Sequence, residues 1–335
     1  AADAWRRAGF ACPAHYSVAQ LCRGVSARVM ADIIDPLVIS ALNTPTERAS
    51  AQVFLTVMRD ALFAPSSASS STQGAAQIAG SNMLLPRTDL GTLFPTAAVR
   101  WLEKNGAQMQ PGQRANNLPS LLKNELLAQY SKWLETNMAE KYDAVIVATP
   151  AWEAARLVRS LVPSIGQAPD IVPTEAAAQL ATQATAWATC AETLQHEAIT
   201  TVYAFSAAAR LPQAVMALRS STAQQPAQFV FDRGALSGQA GVLAFVVSAS
   251  SGNAATLEQQ VIAQGRAQLG LPDLQPIKTI VEKRATFACT PGLARPGMRV
   301  TKGVLACGDY VEGPYPATLE GAVRSGLAAA RALGQ

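Results

Sequence analysis

The stretch that most constrains this chain is its last strand-like run together with the loop and helix-like segment after it, GVLACGDYVEGPYPATLEGAVRSGLAAARAL at residues 303–333. A short apolar run closes on Gly308 and Asp309, a loop comes next, and an alanine-rich segment of helical spacing ends just before Gly334. A run that is apolar at every position suits a strand buried on both faces of a parallel sheet, and strand, loop, helix is the unit from which α/β folds are built. Residues 142–150, YDAVIVATP, repeat the run and its closing turn. The fold class expected is therefore α/β. Gly308 permits close approach of another backbone, and the amides around Pro316, Ala317, Thr318 and Leu319 at the start of the last helix converge on one point. Such amides and the helix dipole attract negative charge, so an anion or an electron-rich ring edge can dock there. Pro316, which has no N–H, suits a first-turn position. Ordinary packing of a helix on a strand produces the same pattern, and on pattern alone both readings stand.

Elsewhere the periodicity predicts helices over residues 18–30, 32–41 and 45–63, the last with Thr44 as its cap. A serine-rich stretch at residues 66–72 reads as a surface loop. Helices are expected over 95–105, ended by Gly106, and over 118–140. Three alternating segments, 199–205, 228–232 and 241–249, predict an antiparallel sheet. A helix near 257–269 and a strand near 277–287 complete it.

Composition excludes several function classes. A net charge of +4, spread along the chain, is too small for a nucleic-acid footprint, and 6% aromatic residues leave few stacking platforms. Five cysteines without a CxxC pair argue against a disulfide framework and a structural zinc site, and favour a reducing cytoplasm. Only His15 and His196 are available to a multi-histidine metal centre, so no metal is expected. No run approaches the ~18 apolar residues that a membrane span needs. With no G-x-S-x-G elbow, a serine hydrolase is not expected.

The segment GDYVEGPYPATLEGAVRSG resembles the C-terminal flavin-binding motif of the FAD-dependent amine oxidase and carotenoid desaturase superfamily. The stretches ALNTPTERASAQVFLTVMRDALF, LLPRTDLGTLFP, VFDRG and EKRATFACTPGLARP resemble, more narrowly, the squalene-associated FAD-dependent desaturases, the hydroxysqualene dehydroxylases of hopanoid biosynthesis. The resemblance runs over essentially the whole chain. It implies FAD as cofactor, an apolar isoprenoid substrate, an external reductant such as a nicotinamide cofactor, and a peripheral position at the inner face of the membrane, on apolar helices within residues 18–63. The runner-up activity is that of a carotenoid desaturase, which withdraws hydride rather than delivering it. The implied fold is a partial FAD-binding Rossmann-like domain interleaved with an α+β substrate domain. In outline, residues 1–81 and 161–290 form substrate domain, and residues 82–160 and 291–335 form FAD-binding domain. The family opens with a GxGxxG turn and an acidic residue for the adenosine ribose, and this sequence has neither, so the chain is expected to lack the family's opening portion. A third reading is an inactive fragment that needs another chain for the diphosphate turn.

By resemblance, Gly308 and Asp309 contact the ribityl or pyrophosphate region, and Pro316, Ala317, Thr318 and Leu319 approach the isoalloxazine ring. Ala148, Thr149 and Pro150 lie near the cofactor, and Ala115 stands where relatives place a valine whose backbone holds adenine. Arg284, on a strand bordering the substrate cavity, and Tyr315, in the flavin loop, are the candidates for a catalytic group. For Arg284 a structural salt bridge is an equal reading. Glu320 reads as a capping carboxylate as well as a cofactor contact, Arg324 as a solvated helix face, Asp232 and Arg233 as a turn, and Cys289 and Cys307 as small core residues.

Overall fold

The computed structural model describes residues 1–63, 84–122, 142–162, 175–220 and 224–334. The expected loop at 66–72 and most of the expected helix at 118–140 lie outside the described residues. Eight strands are present among the described residues: β1 (Val145–Val147), β2 (His196–Phe205), β3 (Val215–Ala217), β4 (Phe229–Asp232), β5 (Val242–Ser250), β6 (Gln275–Phe287), β7 (Arg299–Thr301) and β8 (Val304–Ala306). They fall into two compact units, each built from two separated stretches of chain. One holds Ala1–Pro111 and His196–Pro291, the other Gly112–Gln195 and Gly292–Gln335.

The first unit carries a five-stranded antiparallel sheet in the order β3-β4-β5-β2-β6. Its three expected alternating segments are β2, β4 and β5, and alternation sends Val202 and Ala204 of β2 and Leu243, Phe245 and Val247 of β5 into one core. The helix Ala254–Leu269, capped by Asn253, covers that core through Val261 and Ile262. Gly265 lets the helix come close, since a Cβ there would stand 2.8 Å from Cζ of Phe245. Gln264, buried in the same helix, accepts from the Ala227 amide and donates to the Arg219 and Ala227 carbonyls.

The N-terminal helices are shorter than the periodicity predicts. Helical turns at Val18–Leu21 and Ala27–Val29 run through a π turn, Met30–Ile34, into the helix Asp35–Leu42. The next helix is Ala51–Met58, and its cap is Ser50, whose Oγ accepts from the Val53 amide. Thr44 is not a cap. Its hydroxyl donates to the Leu42 carbonyl, and residues 45–48 make a single turn. The reason is tertiary: the Ser50 amide donates to the Cys289 carbonyl and Ser50 bridges Ser17, which keeps the chain extended where local propensity alone favours helix. Val38, Phe54 and Leu55 are among the apolar side chains of these helices that are core, while Val29 and Ile33 remain exposed.

The second unit holds a three-stranded sheet, β1-β8-β7, with β1 and β8 parallel and β7 and β8 joined as a hairpin. The helix Leu319–Leu333 packs back through Ala329 onto Leu305 and Cys307. The helices Ala151–Arg159 and Glu175–Glu192 pack on each other, tied at the surface by the Arg159–Glu192 ion pair at 2.5 Å.

Candidate functional site

Parallel pairing decides what comes together in the second unit. Val147 stands opposite Ala306, and the Cys307 amide donates to the Val147 carbonyl at 3.0 Å. Ala148, Thr149 and Pro150 therefore leave β1 at the same edge where Gly308 and Asp309 leave β8. The carboxyl ends of adjacent parallel strands are where open α/β sheets bind ligands. Two motifs more than 150 residues apart in sequence are made neighbours by one three-residue ladder.

The loop between β8 and the last helix is held from several sides. The Gly308 amide donates to Oγ of Ser325 at 3.2 Å. A Cβ on Gly308 would lie 2.5 Å from the Tyr310 ring, so only glycine lets that ring fold back over the strand end. Arg295 donates to the carbonyls of Val311 and Gly313, and the Glu312 amide to the Pro296 carbonyl. The helix starts at Leu319, three residues beyond Pro316, with Thr318 as cap: its hydroxyl donates to the Tyr315 carbonyl at 2.8 Å and accepts from the Gly321 amide at 3.0 Å. Pro316 is thus buried in the loop rather than in the first turn, and Ala317 takes a left-handed conformation, φ 56°, with its amide spent on the Asp309 carbonyl. Left-handed backbone is costly for alanine and tends to persist at functional sites. The amides of Leu319 and Glu320 have no backbone acceptor among the described residues, and Leu319 is 74% exposed. Of the residues expected to converge, Leu319 keeps its amide open to an electron-rich edge, and Glu320, beyond the expected four, adds a second.

Ala115 is exposed, and its carbonyl accepts from Arg156 at 2.8 Å, as that of Asn116 does at 2.7 Å. Arg156 and Arg114 both bond Glu153, and these bonds, Arg156's foremost, hold the Glu153 carboxyl at about 2, well below its ordinary 4.5. Tyr315 has the Arg324 guanidinium 5.0 Å from its ring centre, and Arg324 also pairs with Glu320 at 2.5 Å. Glu320 lies in the first turn of the helix and Arg324 on its exposed face, as expected, and the two pair there while Arg324 also stands over Tyr315. Arg284 is exposed on β6, in the first unit. Asp232 is a structural residue: buried, it accepts from the Ala235 and Leu211 amides and so starts the short helix Arg233–Ser237. Cys289 and Cys307 are buried, and burial pushes the Cys307 thiol above its ordinary range.

Three residues of this site escaped sequence reasoning. Arg156, Arg295 and Trp187 all act across the fold, Trp187 by donating from its indole to the Gly297 carbonyl at 2.7 Å and packing edge-on against Tyr310. Only Arg295 carried a signal, since it lies within EKRATFACTPGLARP, one of the stretches that carry the family resemblance.

Tyr310 is 1% exposed and its hydroxyl has no hydrogen-bond partner among the described residues. Burial pushes its ionisation far above the ordinary phenol range, so it stays a neutral donor. An unpaired buried hydroxyl costs about 1–3 kcal/mol, so Tyr310→Phe is expected to stabilise the protein by about 1 kcal/mol in urea unfolding. A variant less stable than the parent would mean that the hydroxyl has a partner in solution.

The first unit holds a separate cavity of about 560 Å³. Ile39, Val247 and Leu257 give it apolar wall, and Asp35 and Glu47 carboxylates at the rim. Gln228 and Ser248 are both buried and both line it. The carboxamide oxygen of Gln228 accepts from the Ser248 amide, while its nitrogen and the Ser248 hydroxyl have no partner among the described residues. Sequence reasoning singled out none of these residues.

The profile of the family described as flavin containing amine oxidoreductase matches residues 125–334, well over half of the chain, including both strand ends and the whole capped loop. The chain belongs to this flavin-containing amine oxidoreductase family. FAD is the cofactor that membership implies, and the open amides of Leu319 and Glu320 beside a loop that Gly308 allows to close fit an electron-rich ring edge. No curated protein matches the chain in sequence. Among solved structures, an oxidoreductase from Methanosarcina mazei is similar at 13% identity, TM-score 0.59, over 94% of this chain and 68% of that one. The PF1083 protein from Pyrococcus furiosus is similar at 11% identity, TM-score 0.57, over 96% of this chain and 67% of that one. At such identities the likeness concerns the fold, a mixed helix and sheet architecture shared with oxidoreductases. Among the described residues, no group of acidic, histidine or cysteine side chains could hold a metal ion, and no helix is long and apolar enough to cross a membrane.

Proposed function

We propose that this amine-oxidoreductase-family chain carries out the reductive dehydroxylation of hydroxysqualene to squalene. The observation that carries the proposal is the glycine-closed, Thr318-capped loop at the carboxyl ends of β1 and β8, in a chain whose motifs resemble the hydroxysqualene dehydroxylases over most of its length. Reduced FAD supplies the hydride that replaces the allylic hydroxyl, which leaves as water once protonated, and an external reductant such as a nicotinamide cofactor restores the two electrons. The chain's own part is to hold and orient. Thr318 fixes the helix start so that the Leu319 and Glu320 amides favour developing negative charge, Asp309 faces the sugar-phosphate side, and Ala148, Thr149 and Pro150 border the same edge. Tyr315 and Arg284 are the candidates to assist hydroxide departure.

A lipid-borne substrate implies peripheral contact with a membrane surface. The exposed apolar side chains best suited to it are Leu90, Leu93, Phe94 and Trp101, with Arg100 and Lys104 on the helix of Trp101, Pro95–Lys104, and Val29 and Ile33 within the expected helices of residues 18–63.

The test is a pair of measurements on the purified chain. After FAD addition and desalting, flavin absorption bands are expected. Anaerobic incubation with reductant and hydroxysqualene is then expected to yield squalene. Bands without squalene, but with desaturation of phytoene under an oxidant, would replace the proposal with the desaturase activity, and absence of bands would remove both.

A further inference from the structure

Strand β6 is the outer strand of the five-stranded sheet, bonded to β2 on one side only. Residues 275–284 are exposed apart from a half-buried Thr279, and three of them, Ile277, Ile280 and Val281, are large and apolar. A long open edge presents a row of free amides and carbonyls to any strand that fits it, and proteins restrain such edges with lysine, proline and irregular geometry. All three restraints are present here. Pro276 sits at the strand start, Lys278 and Lys283 along it, and the pairing with β2 slips at both ends, near Pro276 and again between Glu282 and Thr286. Only Lys278 to Glu282 runs in unbroken register, opposite Tyr203 to Ile199. The regular part of the edge is therefore centred on Ile280.

The geometry points to a homodimer in which β6 pairs antiparallel with β6 of a second copy about a two-fold axis at Ile280, joining the two sheets into one. An axis through a residue sets residues equally far before and after it opposite each other. About Ile280, Lys278 meets Glu282 of the second copy, and symmetry makes the pair twice. Thr279 then meets Val281, and Ile277 meets Lys283, whose aliphatic stem can cover it. Neighbouring registers are worse. An axis at 281 sets Lys278 against Arg284, axes at 278, 282 and 283 set a charge against itself, and an axis at 279 forms no ion pair. The charges that deter indiscriminate edge pairing thus select one register of self-pairing. One oxygen of Glu282 accepts from the Arg284 amide at 3.1 Å, which leaves its second oxygen to face Lys278.

The experiment is sedimentation of the full chain across a concentration series, beside Lys278→Glu and the double reversal Lys278→Glu with Glu282→Lys. A single strand pair makes a small interface, so a dissociation constant on the order of 10–100 µM is expected. Lys278→Glu, which sets two like charges face to face twice, is expected to weaken it about tenfold or more, with unchanged circular dichroism. The double reversal restores opposite charges in the same register and is expected to restore the dimer. A parent that stays monomeric throughout the series, a charge-reversed variant that dimerises as the parent does, or a double reversal that stays monomeric would each overturn the proposal.

Discussion

Gly321→Ala is expected to lower FAD affinity by about 100-fold or more while leaving the last helix formed. Gly321 is the third residue of that helix, and a Cβ there would fall inside the Tyr315 carbonyl oxygen, well within van der Waals contact, and 3.3 Å from Oγ of Thr318. Both obstacles belong to the loop's return onto the helix start, and the nearer one is backbone, which cannot turn aside as a flexible side chain does. To admit the methyl group the chain must move Tyr315 away, and with it the hydrogen bond from the Thr318 hydroxyl to the Tyr315 carbonyl. The cap then loses the geometry that aims the Leu319 and Glu320 amides. A factor of 100 corresponds to about 2.7 kcal/mol, the size of a displaced loop and one lost charge-stabilising contact.

Gly326 supplies the internal comparison. It lies in the same helix and a Cβ there would meet nothing within 4 Å. Gly326→Ala is expected to add the ordinary helix gain of about 0.5–1 kcal/mol and to bind FAD as the parent does. Flavin titration by absorption, with thermal unfolding of both variants, separates helix propensity from loop closure. Equal FAD affinity in the two variants would mean that the loop's return does not shape the cofactor site.

The last strand, loop and helix were legible because each has its own periodicity, and the loop between them is bounded by Gly308 and Thr318. The start of the helix was misplaced at Pro316 because Pro, Ala and Thr in succession offer two plausible starts. What chose between them is the left-handed turn at Ala317, tied to the Asp309 carbonyl, and nothing in an alanine announces a positive φ. The three-residue strands β3 and β7 are too short to show alternation. Trp187 reaches a carbonyl 110 residues away and Arg156 one 41 residues away, and a contact of that kind leaves no local mark. The Thr44 cap failed for a related reason. Every local preference pointed to a helix starting there, but the Ser50 amide has a stronger claim on the Cys289 carbonyl.

The same region contains the residue whose loss should cost the first unit most. Asn43→Ala is expected to destabilise that unit by about 3 kcal/mol. Asn43 is buried, with φ 47° and ψ 33°, at the end of the helix Asp35–Leu42. Its carboxamide oxygen accepts from the Ala249 amide, and its nitrogen donates to Thr286 Oγ1 at 3.0 Å. One side chain thus ties the helix end to β5 and β6. The contact on β5 is made where Ala249 is itself left-handed, φ 46°, at an irregularity in the pairing with β2. Asparagine suits the position twice over, because it tolerates left-handed backbone and because one amide group both donates and accepts. Alanine forfeits both: about 1 kcal/mol for each of the two shorter hydrogen bonds, with Ala249 and Thr286, beside a longer one to the Glu197 carbonyl at 3.4 Å, and about 1 kcal/mol of backbone strain. Glycine at the same position loses the hydrogen bonds but not the conformation, so Asn43→Gly should cost about 2 kcal/mol, less than alanine even though it removes more of the side chain. That inverted order is the signature to look for in urea unfolding followed by circular dichroism. Alanine and glycine variants both within about 0.5 kcal/mol of the parent would mean that β5 keeps its irregular end without Asn43. Alanine milder than glycine would mean that the left-handed turn is not retained in solution.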